Sequence, residues 1–116
     1  MTDLEVFATE LRRFVAEREW AQFHDPKNLA MLLSSEVGEL VAELRWVAGA
    51  ASDEHARAAA PRARIADEIG DVGIALLLLC ERTGIDLLQA MSDKLEKNRA
   101  RYPVDASRGK ADRPED

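Results

Sequence analysis

Two acidic steps, Glu36-x-x-Glu39 and Glu68-x-x-Asp71, restrict this chain more than any other feature. Carboxylates fill 22 of the 116 positions, so chance alone produces about four acid pairs at i, i+3. Such pairs occur at 36/39, 68/71, 93/96 and 112/115, and the first two stand apart by their company. At about 100° per residue, Leu29, Leu33, Leu40, Leu44 and Val47 share one helix face, and Glu36 points within about 20° of Leu29. Glu39 lies at the edge of that face, in line with Asn28, Ser35 and Trp46. On a later helix Ile65, Ile69, Val72, Leu76 and Leu79 form the apolar face, flanked by Glu68 and Asp71 beside Arg64 and Ala75. An ionised carboxylate bordering a core loses water and repels its neighbours. Four of them facing each other need a cation; the simpler alternative is a pair of solvated, charged flanks.

The length suits one domain, read as residues 1–103, followed by a polar, proline-flanked stretch, 104–116, expected to be a disordered tail. Hydrophobic residues make up 47% and charged residues 33%, which fits a helical protein able to bury a core without disulfides or zinc. Net charge is −6, and no helix face carries a basic stripe suited to duplex nucleic acid, so no nucleic-acid polymer is expected as a partner. Cys80, the single cysteine, sits in an apolar helix and reads as a buried small residue. The longest apolar run, Ile74 to Cys80, is too short to span a bilayer. With no basic leader ahead of an apolar run, the expected location is cytoplasmic and no membrane contact is expected.

Helical spacing accounts for nearly the whole chain. Thr2-Asp3-Leu4-Glu5 reads as a capping box opening a first helix that runs to about Trp20. Asp25-Pro26 starts a second, running to about Ala48 with Gly49 as its C-terminal cap. Residues 49–60 read as a loop or a short loose helix. Pro61 opens a third helix, ending at Gly84, and Asp86 caps a fourth that reaches Tyr102 and stops at Pro103. No strand-like alternation is visible, so the expected class is all-α, a four-helix bundle-like fold. Because the third helix has no wet face between Ile74 and Cys80, a second subunit is expected to cover it.

Antiparallel packing of the second and third helices would gather the four carboxylates around one point. Oxygen-only ligation suits Mg²⁺ or Mn²⁺, whereas a di-iron bundle would require Glu-x-x-His pairs that His24 and His55 are not placed to supply. On the fourth helix Lys94, Asn98 and Arg101 stand at i, i+4, i+7. Taken alone that is a solvated stripe; facing metal-loaded carboxylates it is what a polyphosphate needs. Trp20, Phe23 and Trp46 add aromatic surface, either as core or as a platform on which a base can stack.

The segments Trp20-Ala-Gln-Phe-His-Asp-Pro-Lys-Asn28, Glu36-Val-Gly-Glu-Leu40, Arg45-Trp46, Asp67-Glu-Ile-Gly-Asp71 and Lys94…Asn98-Arg-Ala-Arg-Tyr-Pro103 resemble the MazG-like nucleotide pyrophosphohydrolases, most closely the dCTP pyrophosphatase branch. The resemblance runs from the first helix to Pro103 with the motifs in order. It implies an all-α NTP pyrophosphatase fold, a homodimer or homotetramer, and Mg²⁺-dependent hydrolysis of a nucleoside triphosphate to the monophosphate and pyrophosphate. It further implies Glu36, Glu39, Glu68 and Asp71 as metal ligands. Trp20, Phe23, His24, Asn28 and Trp46 would serve the nucleoside, and Lys94, Asn98 and Arg101 the phosphates. Two positions depart from the dCTP-specific pattern: Leu11 replaces a histidine and Ala75 a tyrosine, which bears on the choice of base and not on the metal chemistry.

The reading is therefore a pyrophosphohydrolase acting on dCTP or a related or modified pyrimidine dNTP in nucleotide-pool house-cleaning, with Mg²⁺ as cofactor (Mn²⁺ as a substitute) and Glu39 as the group that activates water. Two rivals from other classes are a catalytically silent helical dimerisation module and a metal-binding regulatory partner that has lost turnover.

Overall fold

The computed structural model describes residues 1–111, and these are helical throughout, joined by short turns. The chain divides into two compact units, the first Met1–Gly84 and the second beginning at Ile85.

In the first unit, α1 spans Asp3–Glu17 and opens as its sequence dictates. The Thr2 hydroxyl accepts from the Glu5 amide at 3.2 Å, and the Glu5 carboxylate accepts from the Thr2 amide at 2.7 Å. Two otherwise orphaned donors are thus satisfied reciprocally. Its buried face is Ala8, Leu11 and Val15. The helix stops three residues short of Trp20 because Glu19 turns left-handed (φ 56°), and the Trp20 amide then reaches back to the Val15 carbonyl at 3.1 Å. A non-glycine residue in that conformation is costly, and it persists here at the turn that delivers Trp20.

One 3-10 turn, Ala21–Phe23, leads into α2, Pro26–Ala42, whose cap is Asp25, accepting from the Asn28 amide at 2.8 Å. The expected extension of this helix to Ala48 does not form. The amides of Glu43, Leu44 and Val47 bond three residues back, to Leu40, Val41 and Leu44, tightening the chain out of α geometry. Gly49 is consequently not a C-cap but the first residue of α3, Gly49–Arg57. The stretch expected as loop or loose helix is thus ordered helix as far as Arg57. Ala58, extended (φ −67°, ψ 140°), separates it from α4, Ala59–Thr83. Pro61 lies in the first turn of α4, where its missing N–H removes no helical bond. Gly84 ends α4 in the left-handed region (φ 70°), which a residue without Cβ adopts freely.

The core is small. Leu11 and Ala8 of α1 pack against Leu77, with Leu78 beside them, while Leu29 and Ala75 are almost completely enclosed. Large apolar side chains stay exposed on every long helix of this unit: Phe7 and Phe14 on α1, Met31 and Val41 on α2, Ile69 on α4. The run Ile74 to Cys80 is less exposed than its composition suggests. Ala75 and Leu77 are buried, Leu76, Leu78, Leu79 and Cys80 are half-buried, and Ile74 is about one-third exposed.

The second unit holds α5, Leu87–Arg101, capped by Asp86 accepting from the Gln89 amide at 2.8 Å, and α6, Val104–Ser107. The segment expected as a tail therefore begins with one helical turn, and its last part, 112–116, lies outside the described residues.

Candidate active site

The facing stripes of α2 and α4 bring three of the four singled-out acids together. Carboxylate oxygens of Glu36, Glu68 and Asp71 all lie within 4.8 Å of one another. Glu39, one turn beyond Glu36, is exposed and outside that group, yet its charge acts on both glutamates. Desolvation, then the charges of Asp71 and Glu39, hold the Glu36 carboxyl above its ordinary value of 4.5. Desolvation likewise raises Glu68, followed by Glu39, Asp71, Glu36 and Glu43. Among the described residues no cationic side chain forms an ion pair with Glu36, Glu39, Glu68 or Asp71. Converging oxygen donors without an ion-pair partner among the described residues fit a hard divalent cation, Mg²⁺ foremost, with water or phosphate oxygens completing its shell.

Next to the acids is a hollow of about 180 Å³. Glu36 and Asp71 stand at one side, Trp20 and His24 form a wall, and Leu11 and Ala75 lie deep in it. The two positions at which the chain departs from the dCTP-specific pattern thus line the same space, one apolar and one small. Trp20 meets Phe14 edge-on, with ring centroids 5.7 Å apart at 75°, and the Arg18 guanidinium lies 3.7 Å from the centroid of the same Phe14 ring. A second hollow of about 320 Å³, edged by the ion-paired Arg12 and Glu81, shares Leu11 and His24 with the first.

The remaining sequence candidates fall elsewhere. Asn28 uses its side-chain amide to join the turn to α2, donating to the Phe23 carbonyl at 3.1 Å and to Asp25 Oδ2 at 3.0 Å. Phe23 is 59% exposed and Trp46 86% exposed, so neither is a wall of either hollow. Trp46 lies past the end of α2 with the Arg45 guanidinium 5.5 Å from its ring. Lys94, Asn98 and Arg101 share α5 in the second unit, where Arg101 stands 5.8 Å from the Tyr102 ring.

One pair was passed over in the sequence. Arg64 Nε donates to Glu43 Oε2 at 3.1 Å, next to the acids on both helices. The signal was present: Glu43 continues the spacing Glu36, Glu39 on α2, and Arg64 precedes Glu68 and Asp71 by four and seven on α4.

Helices that present facing carboxylates beside an aromatic-walled hollow define an all-α, acid-lined class of protein. A family model described as MazG-like matches residues 34–115, and the chain belongs to that family. It is 44% identical over 98 residues to dCTP pyrophosphatase 1 of Rattus norvegicus, an alignment covering 84% of this chain and 58% of the relative. To dCTP pyrophosphatase 1 of Homo sapiens it is 39% identical over 95 residues, covering 82% and 56%. The chain thus spans little more than half the length of these curated relatives. A solved pyrophosphatase from Archaeoglobus fulgidus superposes with a TM-score of 0.83 at 35% identity, covering 89% of this chain and 94% of that one. The expected family and the all-α fold are both borne out. No helix among the described residues is long and apolar enough to cross a membrane.

Proposed function

We propose that the chain is a Mg²⁺-dependent pyrophosphohydrolase that converts dCTP or a related pyrimidine dNTP, plus water, to the monophosphate and pyrophosphate. The observation that carries this reading is the convergence of Glu36, Glu68 and Asp71 at the edge of the hollow walled by Trp20 and His24. Similarity to the dCTP pyrophosphatases supports the substrate class. Mg²⁺ held by Glu36, Glu68 and Asp71, with Glu39 adjoining, would supply charge neutralisation for the phosphate oxygens.

The chain's own groups do the rest. Trp20 stacks on the base, and His24, which lines the same hollow, offers it a ring nitrogen for hydrogen bonding. Glu39, exposed and beside Glu68, takes a proton from the water whose oxygen bonds to the α-phosphorus, while the bond to the bridging oxygen breaks and pyrophosphate leaves. Lys94, Asn98 and Arg101 of α5 are the proposed phosphate-binding groups, and Asn28, which ties the Phe23 carbonyl to the start of α2, holds the turn that carries His24. Leu11 and Ala75 leave a roomy apolar interior, so discrimination among pyrimidine triphosphates is looser than in relatives with polar groups there. Nucleotide-pool chemistry places the work in the cytoplasm, and residues 1–103 carry it.

A homodimer or homotetramer is part of this reading, with α4 in the interface. The apolar groups left exposed on α1, α2 and α4 support it, since a soluble monomer rarely leaves so much apolar surface bare. Pyrophosphate release measured across a panel of dNTPs, with Mg²⁺ and with chelator, tests the activity. Release from pyrimidine dNTPs only when Mg²⁺ is present is the expected result; none from any nucleotide would leave a binding or dimerisation module. Light scattering that finds a monomer at micromolar concentration would defeat the assembly.

A further inference from the structure

The two helices that carry the acids form a ladder with an asymmetry in it. Glu36 meets Asp71, the charge of Glu39 acts on Glu68, and Glu43 bonds to Arg64 at 3.1 Å. As numbers rise on α2 they fall on α4, so the helices run antiparallel and Arg64 is the last rung. At the opposite end, past Glu36 and Asp71, lies the hollow with Trp20 and Ala75. Arg64 and the hollow therefore lie on opposite sides of the acids, and about 10 Å of helix separates Arg64 from Asp71.

For a nucleoside triphosphate with its base in the hollow and its α-phosphate at the acids, the side of the acids away from the hollow is open to the outer two phosphates. They continue along the ladder toward Arg64. Glu43 is mostly covered (23% side-chain exposure), whereas Arg64 is 55% exposed and engages Glu43 through Nε, which leaves its two Nη groups to meet an anion. A guanidinium anchored by one edge presents the other as a two-pronged donor suited to phosphate oxygens. We infer that Arg64, held in place by Glu43, binds the outer phosphates of the substrate and the leaving pyrophosphate. This assignment rests on the proposed activity. It supplies a phosphate-binding cation within the first unit itself.

Arg64→Ala, Arg64→Lys and Glu43→Gln test it, each compared with the wild-type protein for turnover and for binding of two products, pyrophosphate and dCMP, by calorimetry with Mg²⁺ present. For Arg64→Ala a roughly ten- to hundredfold loss in kcat/KM and a roughly tenfold or greater weakening of pyrophosphate binding are expected, with dCMP affinity unchanged. Arg64→Lys should recover part of the pyrophosphate affinity, and Glu43→Gln should show a smaller loss of the same kind. Wild-type pyrophosphate affinity in Arg64→Ala overturns the assignment, and so does an equal loss of both products, which marks a structural role. If the wild-type protein hydrolyses no triphosphate, the functional reading fails by itself, and the pyrophosphate titrations still report on Arg64 independently.

Discussion

The two halves of α4 answer to different neighbours. From Arg64 to Asp71 the helix meets α2 with charge against charge; farther along, Leu77 and Leu78 pack against Ala8 and Leu11 of α1. The apolar half gains by excluding water. The acidic half loses by the same act, because desolvation and mutual repulsion both push Glu36 and Glu68 upward. One continuous helix thus carries a small apolar cluster toward one end and, one to two turns away, a set of groups that repel one another. A cation bound among the acids would relieve that repulsion.

The strongest way to break this comparison is to remove the repulsion. Glu36→Gln combined with Glu68→Gln should abolish pyrophosphate release, by on the order of a thousandfold or more, and leave the metal-free protein as stable or more stable in a thermal melt. A large loss of metal-free stability would make the acids structural and erase the contrast. Attacking the other half should do the reverse. Leu77→Ala removes a side chain buried among Ala8, Leu11 and Leu78 and should cost about 2–5 kcal/mol in denaturant unfolding. If it costs little, the apolar half does not anchor the helix.

The pH dependence sharpens the same point. For Glu36 and Glu68 the folded-state value exceeds the ordinary 4.5, so the fold binds their protons more tightly than the unfolded chain does. Their contribution favours the fold at and below pH 4.5 and is lost as pH rises through the raised values. In chelator, the melting temperature contributed by this site should fall on going from pH 4.5 toward neutrality. Mg²⁺ should restore it by binding the folded state, and the double glutamine variant should show neither change. A metal-free melting profile identical in the wild type and that variant would count against the site. The smallest effect belongs to an ion pair on the apolar half: Arg12→Ala breaks the 2.5 Å contact to Glu81, both groups being substantially exposed, and should change stability by less than about 1 kcal/mol.

Periodicity and capping chemistry are local, and they carried far. Thr2 with Glu5, Asp25 with Pro26, Asp86 and Gly84 each act within a turn of the chain, so helix starts and one helix stop were legible from residue type alone. The acids at i, i+3 were legible as one face for the same reason, and the motif order identified the family. Other features depended on partners distant in sequence. That Glu36, Glu68 and Asp71 converge while Glu39 stands just outside is set by the depth to which α2 and α4 interlock, which no single helix encodes. The early end of α2 and the turn at Glu19 trade local helix geometry for the placement of Trp20, Trp46 and α3, and propensity alone favours continuing the helix. The pairing of Arg64 with Glu43 appears only once the antiparallel ladder brings the two helices together. Sequence determined which groups each helix carries on which face; tertiary packing decided which faces meet, because desolvation, repulsion and ion pairing exist only between groups the fold has placed within reach of one another.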